Sequence, residues 1–232
     1  MYSGSFSVMF SAMRLLFKSR RALLIVVIAW AGLLTAVYLF ASTREATIFQ
    51  LLLTLVVVMA APALFFMLQA VSVTYADDRP VVRIRQMGKL IVVSLPVIAV
   101  TLLVIHGLNR VQTHLTLVTT LRYLLITVVA PMLTIQLWIA ASRGGLRSIL
   151  KELLGVLRRT FAPQSMFVYG CGFLIFALIP YVLLQINISS ERPWAEFSVL
   201  VVRMAVSAIL ILLGWVTTVG ALSLLNRETE DV

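Results

Sequence analysis

Side-chain catalysis needs a nucleophile beside a positioned base, a pair of acids, or a set of metal-binding groups. This chain offers few of these. Its only histidines are His106 and His114, and its single cysteine is Cys171. No P-loop, HExxH or GxSxG pattern is present. Glu45, Glu191 and Glu196 are scattered between apolar runs, too sparse for a catalytic cluster. The expectation is a non-enzymatic protein without cofactor or metal. One cysteine excludes an internal disulfide, and inside an apolar run it reads as an inert thiol. Only His106 comes near membrane depth, so ligation of a haem or pigment is not expected.

The residues that could carry a function are polar or proline positions inside apolar segments. Pro62, Pro96, Pro131 and Pro180 each remove a backbone hydrogen bond from a helix and tend to kink it. They are either ordinary membrane-helix irregularities or hinges around a central path. Gln50, Gln69, Gln136 and Gln185, with Thr54, Ser94, Thr101, Thr127 and Thr134, should turn away from lipid. Interhelical bonds of that kind contribute roughly 0.6 kcal/mol on average, so they serve as packing glue unless a substrate meets them. Arg203 is the one charge that a long apolar segment encloses. It either snorkels to the headgroups, with Glu196 two turns back as a partner, or acts as a buried functional arginine. Gly170, Gly172, Ala177, Ala205, Ser207, Ala208 and Gly214 offer small surfaces for close helix approach.

These positions make sense only in hydrocarbon. Of 232 residues, 61% are hydrophobic and 12% charged, with mean hydropathy +1.05. Soluble domains run about 45–50% apolar and about 25% charged, so a soluble enzyme is excluded. A helix of about 20 apolar residues crosses a bilayer core. Six runs qualify: Ala22 to Ala41, Ile48 to Val73, Leu90 to Ile105, Tyr123 to Ala141, Met166 to Gln185, and Ser198 to Leu225. Lone spanning segments must be helical to satisfy their own backbone. The fold class expected is therefore an all-α integral membrane bundle of six transmembrane helices. The absence of Asp and Glu within the spans argues against a proton- or sodium-coupled transporter.

The net charge is +10, from 19 Lys and Arg against 9 acids. Set against alternate connections, with Arg203 left aside, 14 bases fall on one side and 4 on the other. The positive-inside rule assigns the richer side, with both termini, to the cytoplasm. The surplus is thus topological, and no nucleic-acid partner is expected. The chain divides into an amphipathic arm (1–21), spans one to four (22–141), a basic segment (142–165), spans five and six (166–225) and a tail (226–232). Within the basic segment Leu146, Ile149, Leu150, Leu153, Leu154, Leu157 and Phe161 repeat with helical spacing, while Arg147, Lys151, Arg158 and Arg159 fill the rest. This predicts an amphipathic helix in the cytoplasmic interface, its leucines in the acyl boundary and its bases near anionic lipid. It either anchors the chain or docks a partner subunit. The first residues, with Phe6, Met9, Phe10, Met13, Leu16 and Phe17 flanked by Arg14, Lys18 and Arg21, form a weaker helix of the same kind.

Basic amphipathic lead-in, six spans and no motor domain together resemble the layout of small bacterial permease subunits that borrow an ATPase. That layout implies a multi-pass inner-membrane protein moving a hydrophobic or amphiphilic substrate. The alternative is an accessory subunit packed in lipid against a larger complex. Anionic lipid of the cytoplasmic leaflet and other protein subunits are the partners implied.

Overall fold

The structure, a computed structural model, describes residues 2–43, 47–77, 84–110, 115–145, 149, 153–186 and 193–228. Among the described residues all regular structure is helical. Helix α1 spans Tyr2–Lys18, α2 Arg20–Ser42, α3 Ile48–Thr74 and α4 Ile84–Arg110. Helix α5 (Leu115–Leu124) runs through a π turn, Leu125–Val129, into α6 (Ala130–Arg143). The short α7 covers Leu153–Thr160. Helix α8 (Pro163–Phe173) runs through a second π turn, Leu174–Leu178, into α9 (Ile179–Gln185), and α10 covers Pro193–Glu228.

Six helices are long and apolar enough to cross a membrane, namely Arg20–Ser42, Ile48–Thr74, Ile84–Arg110, Thr116–Arg143, Pro163–Gln185 and Trp194–Arg227. The protein is therefore an all-α, multi-pass membrane protein. The third and fourth helices begin well before the apolar runs do, at Ile84 and Thr116 rather than Leu90 and Tyr123. Helical hydrogen bonding continues through polar residues once it is nucleated, so an apolar run marks the minimum length of a helix. Arg122 consequently lies inside the fourth helix and not in the connection before it.

The chain forms two compact units, Arg20–Ala162 and a second one made of Met1–Ser19 with Pro163–Val232. In the first unit α2 packs on α3, and α4 on α6. Gly32 lets α2 approach closely, since a Cβ there would stand 3.0 Å from Leu64. Val93 and Val97 of α4, Leu137 and Ala141 of α6, Ile149 and Val156 form one buried cluster. Helix α7 packs on α6 with Val156 in that cluster, and its Thr160 is buried as well. Its apolar arc is thus divided. One edge is anchored to protein, while Leu153 and Leu154 on the other are exposed. Val156, which the leucine count overlooks, makes the contact. Arg147, Leu150 and Lys151, with Leu146, lie outside the described residues.

In the second unit α1 packs on α10 and α8. It buries Ser5, Val8, Ala12 and Leu16, a row at helical spacing, and leaves Phe6, Phe10, Met13 and Phe17 exposed. Two glycines bring α8 and α10 together. A Cβ on Gly172 would collide with the side chain of Thr218. A Cβ on Gly214 would stand 2.9 Å from Ile175 and Phe176 side chains and 3.0 Å from the Phe176 backbone nitrogen. Gly170 has nothing within 4 Å. Of the small residues marked by the sequence, Gly172 and Gly214 therefore make the close contacts.

Overpacking a tight core costs about 1–3 kcal/mol. Gly214→Val should lower the thermal midpoint in mild detergent by that order. Gly170→Ala, in open space, should stay within about 0.5 kcal/mol of wild type. Equal midpoints for the two variants in a thermal unfolding assay would remove Gly214 from the packing.

Candidate functional site

Four prolines interrupt the spans, in two structural classes. Pro62 and Pro96 sit inside continuous α-helix, at exposed positions of α3 and α4. Pro131 and Pro180 each stand at the start of an α segment that follows a five-residue π turn. Pro180 is buried and Pro131 half-buried. The wider turn has a direct cause. A proline has no N–H to donate, and its ring presses on the carbonyl four residues earlier. In each π turn the next amide reaches back five residues, Ala130 to the Leu125 carbonyl and Ile179 to the Leu174 carbonyl. This opens the ladder just before the ring.

The second unit carries a short helical segment beyond its break. Helix α9 has only seven residues, Ile179–Gln185, directly after the π turn. At its far end Arg203, half-buried on α10, donates Nε to the Leu183 carbonyl at 2.7 Å and Nη2 to the Leu184 carbonyl at 2.6 Å. Carbonyls of a last helical turn lack intrahelical partners, and a cation there also meets the negative end of the dipole. Arg203 is thus a cap supplied by one helix to the end of its neighbour. At the other end Gly214 faces the widened backbone at Phe176. Phe176 sets its ring edge-on to Trp215, with centroids 5.2 Å apart.

In the first unit the break at Pro131 is followed within two turns by the buried Gln136, and α3 buries Gln69. Gln69 is 0% and Gln136 2% exposed. Trp138 Nε1 donates to the Ser94 hydroxyl at 2.8 Å, which donates to the Leu90 carbonyl at 2.7 Å, joining α6 to α4. The edges of Phe65 and Phe66 meet the same indole. Thr127 and Thr134 hydroxyls donate to the Tyr123 and Ala130 carbonyls of their own helix. Their polarity is spent locally, as is usual for hydroxyls in apolar helices.

Other marked residues fall elsewhere. Gln185 is exposed at the last position of α9. Gln50 belongs to the capping box of α3, where Thr47 Oγ1 accepts from the Gln50 amide and Gln50 Oε1 accepts from the Thr47 amide. The Thr-x-x-Gln spacing carries that signal. Trp138 had no mark in the sequence, because an indole in an apolar run reads as bulk. On α7, Leu153, Leu154 and Arg158 are exposed and Leu157 is half-buried. Burial raises the Tyr75 phenol pKa above its ordinary value, which already lies well above neutrality. Among the described residues no three of His, Cys, Asp and Glu gather to hold a metal.

Compared with known proteins, the chain matches no family model, no curated protein and no solved structure.

Charge-assisted hydrogen bonds of this kind contribute about 1.5–3 kcal/mol each when buried, and less where one nitrogen is exposed. Arg203→Gln should therefore destabilise the protein by about 1–3 kcal/mol. It should also speed amide exchange in Ile179–Ile186 over the rest of the protein. Uniform exchange along α8 and α9 in the variant would show that the clamp does not hold this segment.

Proposed function

We propose that the protein is a non-enzymatic, permease-type subunit of an inner membrane that moves or gates a hydrophobic or amphiphilic substrate. The observation that carries this reading is the pairing of a π turn with an inward proline in one span of each unit. Single π turns of this kind occur frequently at functional sites, where they let a helix bend. Neutral amides and hydroxyls line the buried polar positions, which suits an uncharged or amphiphilic molecule better than an ion. The count of bases per connection supports cytoplasmic termini.

Helix α7 gives the partner surface in this reading. Its Val156 edge is fixed to α6 while Leu153 and Leu154 stand free beside Arg158. A nucleotide-hydrolysing subunit docked there would drive the span to which α7 is anchored. The same exposed leucines favour a second reading, an accessory subunit that packs against a larger complex. In both, the partners are membrane lipid and other protein chains.

One purification separates the two. The native protein is extracted in mild detergent, and its companions are identified by mass spectrometry. The permease reading expects a nucleotide hydrolase that is lost with Leu153→Asp. It also expects Pro131→Ala and Pro180→Ala to raise the thermal midpoint by restoring a helical bond while slowing transport several-fold. The accessory reading expects a large complex that fails to assemble without this chain and is indifferent to both proline variants. Recovery of the chain with no companion at all would sink both.

A further inference from the structure

Beneath the α1 arm the second unit contains a groove of about 190 Å³. Met9, Phe10 and Met13 form its roof, and Cys171, Ile175 and Thr217 its floor, with Phe6 edge-on to Phe167 at one end. An apolar cavity of about 150 Å³ binds benzene, so this space takes a short length of hydrocarbon chain. Its wall is almost entirely apolar. The single hydroxyl on it, that of Thr217, donates to the Leu213 carbonyl at 2.6 Å and keeps only acceptor capacity. A sugar, nucleotide or ion would leave nearly all of its polar groups without a side-chain partner inside.

Two features identify the occupant. The first is depth. Cys171 lies eight residues into α8, and Thr217 lies ten before Arg227. At about 1.5 Å per residue, both stand roughly 12–15 Å from the ends of their helices, at the level of acyl chains and not of water. The second is charge. Arg14 and Lys18 follow Phe10 at i+4 and i+8, continuing its row along the arm, and both are exposed. No acid occurs in Tyr2–Lys18. We infer that the groove holds one acyl chain of an anionic glycerophospholipid, its phosphate drawn to Arg14 and Lys18. Methionine and phenylalanine suit this role, since flexible thioethers and ring edges adapt to a chain of varying conformation. The site requires no transport step, so it stands or falls apart from the permease reading.

Cys171, the chain's only thiol, is a built-in reporter on the groove floor. The full chain is reconstituted in phosphatidylcholine vesicles with or without phosphatidylglycerol, and the rate of Cys171 modification by N-ethylmaleimide is measured. A phosphatidylglycerol carrying a diazirine in its acyl chain is photolysed in parallel, and its adducts are mapped. Phosphatidylglycerol should slow modification several-fold, and the adducts should concentrate on Met9–Met13 and Cys171–Ile175. Each base near an anionic headgroup strengthens attraction about fivefold, so Arg14→Gln with Lys18→Gln should weaken retention about 30-fold. Phe10→Ala, at an exposed position, should release the lipid without disturbing the thermal midpoint. Equal modification rates in the two lipid compositions would overturn the assignment. So would adducts spread evenly over all the spans, as annular lipid gives, or a copurifying protein that cross-links to Cys171 in place of lipid.

Discussion

A peptide N–H or C=O placed in hydrocarbon has no water to bond with, and each one left unpaired costs several kcal/mol. Every notable feature of this protein is an answer to that constraint. Prolines are admitted to four spans, but each deletes a donor from a ladder that has no substitute solvent. At Pro131 and Pro180 the helix widens to a π turn, with an amide reaching back five residues. At the end of α9, where carbonyls run out of intrahelical partners, Arg203 crosses from α10 to supply two donors. Its donors meet acceptors that the helix end leaves without intrahelical partners.

The same constraint links local geometry to packing. A π turn pushes an extra residue's worth of backbone sideways, and the neighbouring helix must make room. Gly214 lies against the bulge at Phe176, where any Cβ would stand 2.9–3.0 Å from it. The glycine and the bulge are therefore one device. Without the bulge, glycine would waste packing area and conformational entropy. Without the glycine, the bulge would force the helices apart and cost the edge contact between Phe176 and Trp215.

How far this was legible in the sequence follows from which signals survive averaging along a chain. All six spans are visible because apolar runs of about 20 residues are rarely anything else. Their polar ends are not, as α4 shows by beginning at Ile84 and the fourth span by taking in Arg122. Hydropathy records where lipid lies, whereas a helix ends where its hydrogen bonds end. The prolines are plain, but their division into two classes is not. Neighbours of Pro62 and Pro131 read alike, Ala61-Pro62-Ala63 and Ala130-Pro131-Met132, and only one has the wide turn. Arg203 is plain as an anomaly and hidden as a cap, since its acceptors are backbone atoms and carry no sequence mark. The basic segment shows its leucines but conceals its anchor, because Val156 counts as one apolar residue among many until α6 is placed beside it.

The short arm and the short helix α7 show how one composition serves two solvents. Each is too apolar for water and too charged for the bilayer core, and each resolves this by dividing its surface. Helix α1 gives Ser5, Val8, Ala12 and Leu16 to protein and Phe6, Phe10, Met13 and Phe17 outward. Helix α7 gives Val156 and Thr160 to protein and Leu153 and Leu154 outward. Burying the bulky rows would gain more hydrophobic free energy, at about 25 cal/mol per Å², if a protein surface were the alternative to water. Next to lipid that gain vanishes, because hydrocarbon already covers the outer row as well as another side chain would. What remains is the dispersion and close approach that small residues allow. On these two helices the small side chains Ser5, Ala12 and Thr160 accordingly face protein while Phe6, Phe10 and Phe17 of α1 and Leu153 and Leu154 of α7 face outward, and the uneven fit of α1 leaves a groove beneath the arm.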